Sequence, residues 1–154
     1  MIRYRHTILA LAIGFALVAF SCTGRSSTQD RAKESTIEGR WFTRHQFETG
    51  REVFQTHCTS CHGAKAQGIV KDWRQRNPDG SFPPPPLDGS AHAWHHPMEV
   101  LVRQINEGGI KLGGTMPAFG DSLSHGEVIA AIAYFQSFWD GQTYDRWIRM
   151  NADS

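Results

Sequence analysis

The stretch from Lys71 to Ser90, KDWRQRNPDGSFPPPPLDGS, constrains this chain more than any other. Its four consecutive prolines, Pro83 to Pro86, offer no N–H to a helix or to the ladder of a central strand, and each fixes its own φ. With Gly, Asn and Asp dense on either side, the whole stretch has to be loop and extended backbone. A chain of 154 residues that spends its middle this way must build its core from what flanks it.

The flanks read as helices. From His45 to His57, HQFETGREVFQTH sets Phe47, Val53 and Phe54 on one face, with Thr43 ahead as a cap. Pro97 opens PMEVLVRQINEGG in the first turn, where proline is tolerated; Val100, Leu101 and Ile105 form the apolar stripe, and Gly108 and Gly109 end it. The last long helix starts at Ser124, whose hydroxyl and Glu127 three places on make a capping box. Ile129, Ile132, Ala133, Gln136 and Trp139 follow at helical spacing, with Tyr134, Phe135 and Phe138 widening the apolar part. No stretch alternates like a half-buried strand, and no repeat is present. The expectation is an all-α domain of three to four short helices with long loops, and a core that thin leans on a metal, a disulfide or a cofactor.

At the N-terminus, Arg3 and Arg5 precede an uncharged run from Thr7 to Phe20, the layout of a secretory signal. The run is short for a bilayer span, which takes about 20 apolar residues. The Ala-Phe-Ser-Cys ending resembles a bacterial lipoprotein signal, in which Cys22 would receive lipid. The polar segment that follows, TGRSSTQDRAKESTIEGR, cannot bury a core and reads as a tether with a mean reach of about 25 Å. The expected partition is a signal peptide over 1–21, a lipid-attachment Cys22 with its flexible tether over 22–40, a folded domain over 41–140, and a C-terminal tail over 141–154 with room for a short helix. The chain carries 16 Lys and Arg against 15 Asp and Glu, and two of the basic residues leave with the signal. No basic surface remains for nucleic acid, and none is expected as a partner.

Thr56 to Gly63 reads THCTSCHG. A disulfide between Cys58 and Cys61 would close too small a loop to staple the fold and would be a redox device, yet the βαβ context of such devices is missing. A structural zinc needs four closed ligands, which Cys58, Cys61 and His62 or His57 could complete only with a residue from His92, His95 or His96. The third candidate is covalent haem: two thiols at this spacing can bond to the two vinyl groups of one porphyrin, with the adjoining His62 on the iron. Met116, on a downstream loop, offers a thioether for the other face.

Taken in order and spacing, HCTSCHG, then PPPPLDG, then GTMPAFG and the capped helix LSHGEVIAAIAYFQSFW resemble the class I monohaem cytochromes c, over about Phe47 to Trp139. The chain looks like the cytochrome c domains found free in the periplasm or fused to oxidase subunits. The resemblance implies a cytochrome c fold wrapped around one covalently bound haem c, thioether links from Cys58 and Cys61, His62 and Met116 as the two iron ligands, and the Pro85 carbonyl as acceptor for the His62 imidazole. It also implies that the first helix crosses the last through Gly50 and Phe54 against Tyr134 or Phe135. The function implied is one-electron transfer between redox partner proteins at the periplasmic side of a membrane, with no catalytic residues of its own. Two other readings stay open: a haem enzyme or gas-binding sensor with Met116 displaced, and a non-haem zinc or copper protein built on His92, His95 and His96. Met98 is the reserve thioether ligand, and Trp94 is the tryptophan expected at the haem edge or a partner.

Overall fold

Thr43 begins the first helix, α1 (Arg44–His57), with a reciprocal cap: its hydroxyl accepts from the Gln46 amide at 3.1 Å while Gln46 Oε1 accepts from the Thr43 amide at 2.8 Å. The computed structural model describes residues 36–152, so the expected signal, Cys22 and the tether up to residue 35 lie outside it. After α1 come α2 (Thr59–His62), α3 (Met98–Glu107), α4 (His125–Gln136) and α5 (Gly141–Ala152), with 3-10 turns at Ala93–His95 and Ile110–Leu112. Among the described residues β pairing is confined to two isolated bridges, Thr36 with Thr43 and Phe82 with Gly114, so the architecture is all-α.

The caps explain where the helices stop. Pro97 precedes α3 in extended backbone, at the cap and not inside the first turn, and Gly108 leaves α3 at φ +73°, a conformation that glycine takes without strain. Ser124 and Glu127 make the expected capping box at α4. That helix ends three residues before Trp139, where the Ser137 hydroxyl donates to the Tyr134 carbonyl at 2.7 Å and competes with the helical ladder.

The core forms where α1 crosses α4. Gly50 lies so close to α4 that an added Cβ would sit 1.8 Å from the Ala130 carbonyl oxygen and 3.0 Å from Tyr134 Cβ. On either side of this contact Phe47 and Phe54 pack on the Tyr134 ring, at centroid distances of 5.5 and 5.3 Å. The crossing depends on α1 presenting no side chain at position 50.

Residues 141–152, expected as a tail with room for a short helix, form a helix of twelve residues that packs on the domain and closes it. Tyr144 and Trp147 are buried with Trp139 and Phe42. A buried indole N–H or phenol oxygen needs a partner, and each finds one far away in sequence. Trp147 Nε1 donates to the His96 carbonyl at 2.9 Å, Trp139 Nε1 to the Leu87 carbonyl at 2.7 Å, and the Tyr144 hydroxyl accepts from the Trp41 amide at 2.7 Å. Asn151 Oδ1 accepts from the Met98 amide at 2.9 Å. Arg40, assigned to the tether from sequence, donates to the Trp139 carbonyl at 2.8 Å and lies 4.2 Å over the Tyr144 ring. The folded unit therefore takes in Arg40 at one end and α5 at the other.

Candidate functional site

The first half of the site is built by the loop that leaves α2. Gly63 turns the chain at φ +80°, and the Gly68 amide returns to the His62 carbonyl at 2.7 Å. Ala66, buried and itself at φ +58°, presents its carbonyl to the Leu87 and Asp88 amides at 2.7 and 3.1 Å. The proline segment is thereby held beside α2, and the Pro85 carbonyl stands 2.9 Å from Nδ1 of His62. A carbonyl can only accept, so Nδ1 carries the proton and Nε2 keeps its lone pair. Burial pushes the His62 pKa below its ordinary value and the bond to Pro85 pulls part of the way back. The imidazole is neutral at pH 7, the form that ligates metals.

The second half comes from the loop after α3. The last carbonyls of a helix have no partner within it, and here the Met116 loop supplies donors to two of them. Phe119 donates to Ile105 at 3.0 Å and Gly120 to Asn106 at 3.1 Å, while the Gly109 amide donates to the Met116 carbonyl at 2.9 Å. A Cβ at Gly108 would lie 2.7 Å from that same carbonyl. Gln104 Nε2 is 4.0 Å from Sδ of Met116. Phe82, bridged to Gly114, joins this loop to the proline segment.

Between the two halves lies a cavity of about 860 Å³, within the roughly 300–1,000 Å³ of small-molecule and cofactor sites. Cys58, Cys61, His62, Pro85 and Met116 all line it, with Leu101 and Phe135 among its apolar walls. Met98 is not on that wall and packs against the core. Burial and the neighbouring Cys61 push the Cys58 thiol up to about 11. Redox-active cysteines usually have lowered values, and Cys58 is shifted the opposite way.

Of the three clustered histidines, His92 and His96 line the cavity and His95 does not; it packs on Trp94 at 3.8 Å between ring centroids. Among the described residues no group of three or more His, Cys, Asp or Glu side chains is placed to hold a metal ion. Neither the closed zinc site nor the three-histidine copper site thus has its ligand geometry. Trp94, expected at the haem edge or a partner, is absent from the cavity lining, and Trp73 from the long loop stands there. Nothing local in the sequence singles out Trp73 from the other tryptophans, because it lies in the stretch without periodicity.

A haem fits these residues. The walls are predominantly apolar, as a porphyrin face requires, and the site offers a neutral imidazole, a thioether and two thiols on one cavity. The family model described as cytochrome c oxidase, cbb3-type, subunit III matches residues 45–135, a span that takes in α1, the Cys-x-x-Cys-His segment, the prolines, Met116 and nearly all of α4. No curated protein and no solved structure matches the chain.

Proposed function

The chain belongs to the family of cytochrome c oxidase, cbb3-type, subunit III, a family of c-type cytochromes with covalently bound haem, and we propose that it carries single electrons on a haem joined to Cys58 and Cys61 and ligated by His62 and Met116. When bound, that group supplies an iron that changes between ferrous and ferric states. The observation that carries the ligand assignment is the presence of His62 and Met116 on one cavity, with the His62 Nδ1–H committed to Pro85 at 2.9 Å.

The protein's own residues divide the work. Pro85 holds the His62 ring in one tautomer and one orientation, as carbonyl partners of metal-binding imidazoles do. His62 would offer Nε2 to the iron and Met116 its thioether, a ligand that would raise the reduction potential. With both positions taken by side chains, no coordination site is left for a substrate, so the protein is an electron carrier and not itself an enzyme. Cys58 and Cys61 keep the cofactor attached through repeated encounters with donor and acceptor proteins, whose interfaces are small and short-lived.

Such carriers work on the periplasmic side of a membrane. Among the described residues no helix is long and apolar enough to cross one. Lipid on Cys22 and the polar segment behind it would keep the domain at the membrane surface, within reach of an oxidase as subunit or as partner.

Met116→Ala tests the ligand assignment. The variant is expected to keep covalent haem, to bind carbon monoxide in the reduced state and to show a lower reduction potential. A variant that stays indifferent to carbon monoxide at unchanged potential would remove Met116 from the iron.

A further inference from the structure

Two imidazoles stand on the cavity wall with no part in the ligand set. His92 stacks on Trp73 at 4.8 Å and an interplanar angle of 23°, and His96 meets it edge-on at 5.4 Å and 81°. The backbone beneath them is fixed from outside, since the His96 carbonyl accepts from Trp147 Nε1 at 2.9 Å. The groups that act on His92 electrostatically are His96, His95 and Arg74, the last of these lying 4.5 Å over the Trp73 ring. All are basic, and among the described residues no carboxylate pairs with either imidazole. His92 Nδ1 is also buried without a hydrogen-bond partner. The other charged side chains on the cavity wall, Arg103, Glu107 and Lys111, belong to α3 and the turn after it.

A basic corner lacking a counter-charge, beside an apolar cavity, is suited to an anion that arrives with an apolar body. Haem is such a ligand, a flat hydrocarbon macrocycle with two propionate carboxylates. We propose that His92 and His96 receive a haem propionate, and that this pair ties the reduction potential of the bound iron to pH. The inference rests on the haem reading above.

Burial, followed by repulsion from basic neighbours, holds both histidines below their ordinary pKa, and a carboxylate alongside acts in the opposite sense. A proton on either imidazole adds positive charge near the iron and disfavours its ferric state. When a partner protein delivers one electron, the ferric iron becomes ferrous and the imidazole pair takes up part of a proton from water. The potential is therefore highest at low pH, falls as pH rises through the histidine range, and levels off above it.

The test is a spectroscopically monitored redox titration of the haem-loaded protein from about pH 5 to about pH 8, the range over which histidine changes charge. Wild type is compared with His92→Gln, His96→Gln and, as control, His95→Gln. Wild type and His95→Gln should show the same fall in potential, and the His92 and His96 variants should lose most of it. A wild-type potential that is flat across this range would overturn the proposal, as would an undiminished slope in both His92→Gln and His96→Gln. If a glutamine variant does not accumulate, asparagine replaces it, and the wild-type profile decides by itself against the proposal when flat. Haem content and carbon monoxide response, recorded on the same samples, show separately whether the haem and ligand assignments hold.

Discussion

A Cys58→Ser, Cys61→Ser chain, produced in a host that attaches haem c, should yield protein from which acidified acetone removes all haem, whereas wild type retains its full complement through the same extraction. The loss should extend to the fold. The cavity of about 860 Å³ lies against the core residues Leu101 and Phe135. Without its cofactor the apolar wall of this site is left to water, and a domain with a total stability of about 5–15 kcal/mol has little to set against that loss of burial. The serine variant should therefore lose its fixed near-ultraviolet circular dichroism and become protease-sensitive, as a collapsed chain does. A serine variant that keeps haem through extraction would contradict the assignment of these two cysteines.

The second large effect is at Gly50. Gly50→Ala gains up to about 1 kcal/mol of helix propensity, yet places a methyl 1.8 Å from the Ala130 carbonyl oxygen. Backbone cannot rotate aside as a side chain can. The helices must part, at a cost at or above the upper end of the 1–3 kcal/mol typical of overpacking, so about 3 kcal/mol or more. Gly126→Ala is the matched control, because nothing lies within 4 Å of its added Cβ in the first turn of α4. Denaturant midpoints on haem-loaded protein should move in opposite directions for the two variants, down sharply at position 50 and up slightly at position 126. A Gly50→Ala midpoint within error of wild type would contradict so close a crossing of α1 and α4.

What could be read from the sequence follows from how local its causes are. Thr43, Ser124 with Glu127, and Gly108 act within one helical turn, and the structure has them at helix ends as expected. The proline run excludes regular structure by itself. Gly50 and Phe54 against Tyr134 came through family resemblance, since nothing in α1 alone says which helix it crosses. The missed features all have distant partners. The sequence GQTYDRWIRMNA looks like a polar tail because its buried face is only Tyr144 and Trp147, and their partners are Trp41 and the carbonyl of His96. Arg40 sits in a polar run and is fixed by the Trp139 carbonyl, 99 positions away, and by the Tyr144 ring. Trp73 and Trp94 could not be told apart from sequence because which of them reaches the cavity depends on the path of a loop with no periodicity. At the site, the Cys-x-x-Cys-His spacing was legible as chemistry, while the separation of His92 and His96 from His95 needed the 3-10 turn at Ala93–His95 to be seen.

The most direct test of the carrier account is the absorption spectrum of the haem-loaded wild-type protein, reduced, before and after carbon monoxide. The account predicts a low-spin spectrum from covalently retained haem that carbon monoxide leaves unchanged, because the proposed ligands His62 and Met116 would leave no position on the iron open. A spectrum that shifts with carbon monoxide would mean an open iron and contradict it.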